Sequence, residues 1–423
     1  MNRKRIIQQN YFKLFGISLF VGLLSSLLAT ILRFITEKTE HKVFEFISGT
    51  NPYLFIIFPT IGITMIYFLR KYAFKGRKNK GITEIYNTLD RRKDHLPLFK
   101  IPSHFLNGFL TVIFGGSSGI EVSTVVATAT IGNEVYKKNF SAKLYKRELI
   151  CAASAAGVAI LFSSPLAGLL FGIEVISRNF KKTILISCLA STLVASLFIY
   201  SFGEGPIISN YLIDWQWKSI PFFLIISCLA GILAVGFTLL VIYTKTFFGN
   251  INNNFVRVNL GAISVGLLIF YFPVLFGDSY HGLNEVLNTE SISIGYLLLL
   301  ILLKPLASSL TLGAGGDGGV FAPSIIAGAF LGLSIAIFCK SILGMNISPI
   351  NYALIGAGSA LSAAIYAPFT AIIIICNITP NGYTLFIPLI VCCLLSKFFA
   401  NKLLPYNVYT YDMYKENLKK SIA

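Results

Sequence analysis

The stretch Gly315–Pro323, GGDGGVFAP, sets four glycines, one acid and a proline between two apolar runs. Two hundred residues earlier, Gly115–Ser123 reads GGSSGIEVS, so that Gly119 aligns with Gly319, Ile120 with Val320 and Glu121 with Phe321. Further on, AAGVAILFSSPLAGLLFGIEV, ending at Val175, resembles GSALSAAIYAPFTAIIIICNI, ending at Ile378, with Pro165 opposite Pro368 at an offset of 203. Spacing that nearly holds through two motifs points to an internal duplication. Two halves that each carry a glycine-interrupted helix are the footprint of a transporter or channel whose site lies at the repeat interface. Glycines let the backbone approach closely, and helix N-termini present N–H groups and a positive dipole end, so such ends converging in a membrane favour an anion. The duplication by itself leaves a cation or sugar carrier open.

The rest of the chain supplies the membrane. Of 423 residues, 55% are apolar and 13% charged, too few charges to coat a soluble body of 46.5 kDa. A straight helix crosses the bilayer core with roughly 20 apolar residues, and runs of that kind lie near 14–33, 53–70, 183–200, 221–244, 257–275, 291–310 and 383–399. The segments 105–136, 147–176, 321–342 and 352–379 are apolar but interrupted by Gly, Ser, Pro and charges, which predicts short, broken or re-entrant helices. The expectation is an all-α polytopic membrane protein of ten or more helical segments. One transmembrane domain fills residues 1–423, with half-repeats near 14–200 and 221–400 and a pore-associated tail over 401–423.

The net charge of +17 is dispersed between the apolar runs, which argues against a nucleic-acid footprint. Basic residues crowd Arg3, Lys4 and Arg5, the segment Lys71–Arg92, the loop with Lys137, Lys138, Lys143, Lys146 and Arg147, and the tail with Lys415, Lys419 and Lys420. The connection from Ile35 to Pro52 balances Glu37, Glu40 and Glu45 against Lys38 and Lys42. The positive-inside rule then puts both termini in the cytoplasm, and the N-terminal apolar run reads as a retained first span. Seven cysteines sit in or beside apolar stretches without metal-ligand spacing and read as buried free thiols. No metal site, cofactor, nucleotide loop or catalytic constellation is read, so the chain is not expected to be an enzyme.

Glu121 stands directly after the glycines and before the apolar VSTVVATATIG, where an ionised side chain is costly unless it has partners. Such a carboxylate can fill an anion site when charged and leave it when protonated, acting as gate and proton acceptor; a helix-capping or snorkelling Glu is the plainer alternative. Phe321 has no proton to exchange and either walls the same path or packs in the core. Asp317 reads first as a helix cap.

These motifs resemble the CLC family of chloride channels and proton-coupled chloride transporters, of the bacterial type without C-terminal regulatory domains. The resemblance implies a homodimer embedded in membrane lipid, most simply the bacterial inner (cell) membrane. Each subunit would carry its own pore, built from two inverted halves with re-entrant helices. Gly119, Ile120, Glu121, Val122 and Ser123 are a degraded form of the family's first glycine pattern, which implies the gating role for Glu121 and anion contact at Gly119 and Ile120. Gly319, Val320, Phe321, Ala322 and Pro323 keep the second pattern intact, implying anion-coordinating amides at Val320 and Phe321. The family's inner serine loop is most similar to Asn79, Lys80, Gly81, Ile82, Thr83 and Glu84, which sets Lys80 in the serine's place. An ammonium there either draws or over-tightens the anion, or points to water. In the tail PYNVYTYDMYKE, Tyr411 beside Asp412 is the best match to the family's pore tyrosine, with Tyr406 and Tyr409 as alternatives and an interfacial belt as the plain reading. After Pro165, Leu166, Ala167 and Gly168, the second acid that relays protons in the family's exchangers is replaced by Val175, beside Glu174. An aliphatic side chain passes no proton. The expectation is therefore a chloride channel gated by Glu121, with a proton-coupled antiporter as the alternative and a fluoride carrier behind both.

Overall fold

The structure, a computed structural model, describes residues 3–77, 79–90, 95–139, 145–203, 205–212, 214–289 and 292–422, with no side chains described at 3–8, 139 or 420–422. Arg92, Lys143 and the side chains of Arg3, Lys4, Arg5 and Lys420 thus lie outside the described residues. The helices run in the order α1 Arg3–Thr50, α2 Leu54–Phe68, α3 Ile82–Asp90, α4 Lys100–Ile113, α5 Glu121–Asn139, α6 Lys146–Leu161, α7 Pro165–Phe171, α8 Lys182–Phe202 and α9 Ile220–Gly249. They continue as α10 Asn254–Tyr271, α11 Tyr280–Asn288, α12 Ile294–Ala314, α13 Phe321–Ser341, α14 Pro349–Ile365, α15 Pro368–Asn377, α16 Phe386–Leu403 and α17 Tyr411–Ile422. Eight helical segments among the described residues are long and apolar enough to cross a membrane. The fold is that of an all-α integral membrane protein, and the seven regular spans expected from the sequence each fall on one of those segments.

Two expectations need correcting. Residues 35–52 do not connect two spans as a loop, because α1 runs on to Thr50. The acids and bases there are adequate helix formers, no proline intervenes before Pro52, and His41 lies 3.4 Å from Glu45 one turn on. The segment 321–342 is not broken either. Its Pro323 falls in the first turn of α13, where the missing N–H is not required, and its glycines serve packing. A Cβ at Gly332 would stand 1.9 Å from the Tyr352 carbonyl oxygen, and one at Gly328 would stand 2.3 Å from that of Gly356. Close backbone approach of α13 to α14 therefore requires both.

The other interruptions are real. The α6–α7 break passes through Ser163 and the α14–α15 break through Tyr366, at φ +47° and +59°. These two left-handed residues stand at the same offset of 203 as Pro165 and Pro368, so the duplication is written in the backbone as well as in the letters. Pro165 opens α7 and Ser164 accepts the Ala167 N–H at 3.3 Å, the usual start for a helix whose first residue cannot donate.

The chain divides into two compact units. The first comprises Met1–Ile35, Asn79–Phe105 and Glu121–Gly205. Its centre is α6, buried from Leu149 to Leu161. Gly22 of α1 sits close on Ser191 of α8, and Gly168 of α7 on the Ala155 carbonyl. The second unit comprises Thr36–Lys78, Leu106–Ile120 and Pro206–Ala423. Here α13 is the most enclosed span, with 83% of its apolar window buried against 28% for the segment Leu54–Ala73, so α13 is the central helix. The outward side chains of the spans, such as Leu197, Ile232, Leu302 and Phe398, are exposed and apolar, as a lipid-facing surface demands.

Candidate functional site

Gly115–Ile120 and the whole of Gly315–Pro323 lie in the second unit, where the two glycine runs pair. Helices α4 and α12 end at Gly115 and Gly315 in the left-handed region, φ +85° and +116°. The next glycines close the turns alike, Gly116 N–H donating to Thr111 O at 2.7 Å and Gly316 N–H to Thr311 O at 2.9 Å. The threonine hydroxyls are then exchanged. Ser117 N–H donates to Thr311 Oγ1 at 3.1 Å, and Asp317 N–H donates to Thr111 Oγ1 at 2.9 Å. Gly119 and Gly319 form an antiparallel bridge, and Ser118 Oγ accepts the Gly319 N–H at 3.1 Å. Equivalent residues 200 apart in number thus take equivalent partners across a local two-fold relation.

This clasp fixes the start of α13. Val320 caps that helix at φ −96°, ψ 3°, and its own side chain makes no capping hydrogen bond. Phe321 is fully buried, and the ring beside it is that of Tyr409, with centroids 6.3 Å apart. Tyr411, the tyrosine expected here, is only partly buried and lies against Tyr406 at 5.2 Å. The cause is local: Asn407 Oδ1 accepts the N–H groups of Tyr409 and Thr410, at 3.0 and 3.1 Å, making a turn that directs Tyr409 inward and starts α17 at Tyr411. Asp317, read above as a helix cap, stands in the loop ahead of α13. Its carboxylate lies 4.0 Å from Arg70, four residues before α13 begins.

The remaining candidates are in the first unit. Glu121 opens α5, 4% exposed, in a first turn where Val122, Ser123 and Thr124 are also buried. The Lys80 loop packs on that turn. Gly81 has φ +64°, and a Cβ there would sit 3.2 Å from Val122 Cγ1. Ile82 starts α3 and is buried, whereas Lys80 is exposed and its N–H donates to Glu84 Oε1 at 2.8 Å. Val175 is buried within a π-helical turn, Gly172–Ser177, that also holds the partly buried Glu174; the Val175 carbonyl accepts the Tyr86 hydroxyl at 3.0 Å. Such turns recur at functional positions.

Sequence reasoning missed two buried charge clusters. Glu84 accepts Lys100 Nζ at 2.7 Å, with His104 Nε2 3.9 Å from its other oxygen. Burial raises the Glu84 carboxyl, but His104 and Lys100 outweigh it and hold it below the ordinary carboxylate value. Lys304, fully buried in α12, donates to Ser117 Oγ at 2.9 Å, Ser279 Oγ at 2.7 Å and the Gly277 carbonyl at 3.2 Å. The signal was available: a lone lysine in LLLLILLKPLASS is expensive in a membrane span and marks a designed contact.

Fold and paired loops together define an all-α polytopic membrane protein whose two glycine runs are built alike. The family profile described as Voltage gated chloride channel matches residues 61–401, and the chain belongs to that family. It is 27% identical over 420 residues to the H(+)/Cl(-) exchange transporter ClcA of Vibrio cholerae serotype O1, covering 93% of this chain and 87% of that protein. It is 26% identical over 359 residues to the protein of the same name from Salmonella typhi, covering 81% and 74%. Among solved structures, a slow cyanobacterial Cl-/H+ antiporter superposes with a TM-score of 0.79 at 21% identity, covering 96% of this chain and 99% of that one. A CLC-type fluoride/proton antiporter superposes with a TM-score of 0.76 at 23% identity, covering 94% and 97%. The class of activity is transmembrane anion transport, not enzymatic catalysis.

Proposed function

We propose that the protein exchanges chloride for protons across the bacterial inner membrane, as a homodimer with both termini in the cytoplasm. One observation carries the choice of exchange over passive conduction: the relatives that align with 81 to 93% of this chain are named H(+)/Cl(-) exchange transporters. In this reading Glu121 alternates between filling the anion path as a carboxylate and carrying a proton out of it. The amides of Val320 and Phe321 and the backbone of Gly119 and Ile120 contact chloride, and Tyr409 replaces Tyr411 as the tyrosine of the path. Gly81 and Ile82 line the inner end by their backbone, while the exposed Lys80 raises the local anion concentration.

The test is reconstitution in liposomes with a chloride gradient and simultaneous recording of both ions. Protons driven uphill by chloride are the expected result, abolished in Glu121→Gln. Chloride flux without any proton movement would overturn the proposal. It would support instead a second reading, uncoupled conduction, which rests on Val175: an aliphatic residue where the family's exchangers carry the relay acid.

A further inference from the structure

A third cluster plays no part in anion exchange as proposed. Glu40 lies in α1, toward the end away from the basic N-terminus, and is buried in the second unit. Its Oε1 accepts the Asp278 N–H at 3.2 Å. The Asp278 side chain accepts the Tyr280 N–H at 2.9 Å, which sets the turn leading into α11. His281, in the first turn of α11, packs its ring 4.4 Å from that of Phe44. Ligand atoms of Glu40, Asp278 and His281 all lie within 4.8 Å of one another. The backbone makes room for them: Gly277 has φ +56°, and a Cβ there would stand 1.8 Å from Glu40 Oε1.

The histidine is the second, independent observation. Its Nε2 is buried and has no hydrogen-bond partner among the described residues. A buried ring nitrogen without a donor or acceptor is costly, and His281 also offers one ring nitrogen to the group that holds the two carboxylates. Lys304 stands beside the cluster, and its ammonium donates to Gly277 O and to the hydroxyls of Ser117 and Ser279. One nitrogen and two carboxylate oxygens, with a position left for water, suit a zinc-type ion; calcium and magnesium demand more oxygens.

We propose that Glu40, Asp278 and His281 form a binding site for a divalent transition-metal ion of the zinc type. Sequence spacing gave no hint of it, since Glu40 and Asp278 stand 238 residues apart.

The test uses the full-length protein in detergent, stripped with a chelator and titrated with Zn2+. One ion per chain is expected. His281→Ala and Glu40→Gln should each weaken binding by at least about tenfold, and Zn2+ should raise the melting temperature of the unsubstituted protein only. Glu40→Gln keeps an oxygen for the Asp278 N–H and guards against a folding defect at the other position. Because seven cysteines are present, Co2+ is used as a second probe, and its spectrum should lack a thiolate charge-transfer band. No retained zinc, unchanged affinity in both variants, or a thiolate band would each overturn the assignment.

Discussion

Tyr409 and Tyr411 are separated by one residue and stand in different surroundings. The Tyr409 ring is 5% exposed and faces Phe321, whereas Tyr411 is partly exposed at the head of α17. Tyr409→Ala is therefore expected to cost about 3 kcal/mol, as truncation of a buried aromatic does, and to alter chloride flux. Tyr411→Ala should cost less than about 1 kcal/mol and leave the flux unchanged. Thermal unfolding in detergent and a liposome chloride assay separate the two. Sequence alone favoured Tyr411 because the neighbouring Asp412 completed a pattern, and nothing in the letters said that Asn407 would turn the chain. Glu84 makes a second case. Glu84→Gln leaves Lys100 buried without its counter-charge and should cost about 3 kcal/mol. Since the Glu84 carboxyl is held below its ordinary value of 4.5, the stabilisation is complete above that value and fades as pH falls through the lowered one. A melting-temperature titration should show an acid-side loss in the parent protein that is reduced in Glu84→Gln.

At the scale of elements, spans were readable wherever about 20 apolar residues ran together, because membrane crossing depends on length and polarity more than on packing. What composition could not reveal was where glycine breaks a helix and where it lets two helices touch. Gly115 and Gly315 end helices in left-handed geometry, while Gly328 and Gly332 lie inside α13 and admit α14. Gly332→Ala should thus overpack the contact and cost about 1–3 kcal/mol, measurable by the same thermal assay. The clasp between the glycine runs makes a paired prediction. Thr311→Val removes the acceptor of the Ser117 N–H and Thr111→Val that of the Asp317 N–H. Each should cost about 1–3 kcal/mol, and a double-mutant cycle should show coupling, since both hold the same pair of loops.

For the whole molecule, the duplication read from two glycine runs was the most informative feature, because symmetric construction leaves its mark in spacing. The interleaving of the two units was not readable: residues 36–78 and 106–120 leave their sequence neighbours and join the later part of the chain. Native mass spectrometry is expected to give twice the 46.5 kDa chain mass for the proposed dimer, and a reporter fused to either terminus should read cytoplasmic. The exchanged threonine bonds also bear on descent. In an ancestor half as long, encoded once, Thr111 and Thr311 would have been the same residue, and the bond now made by two different pairs would have been one bond made twice across the axis of an antiparallel dimer. Ser117 and Asp317 differ in side-chain chemistry, whereas the two positions that supply the hydroxyl are both threonine, as a backbone that relies on that acceptor requires.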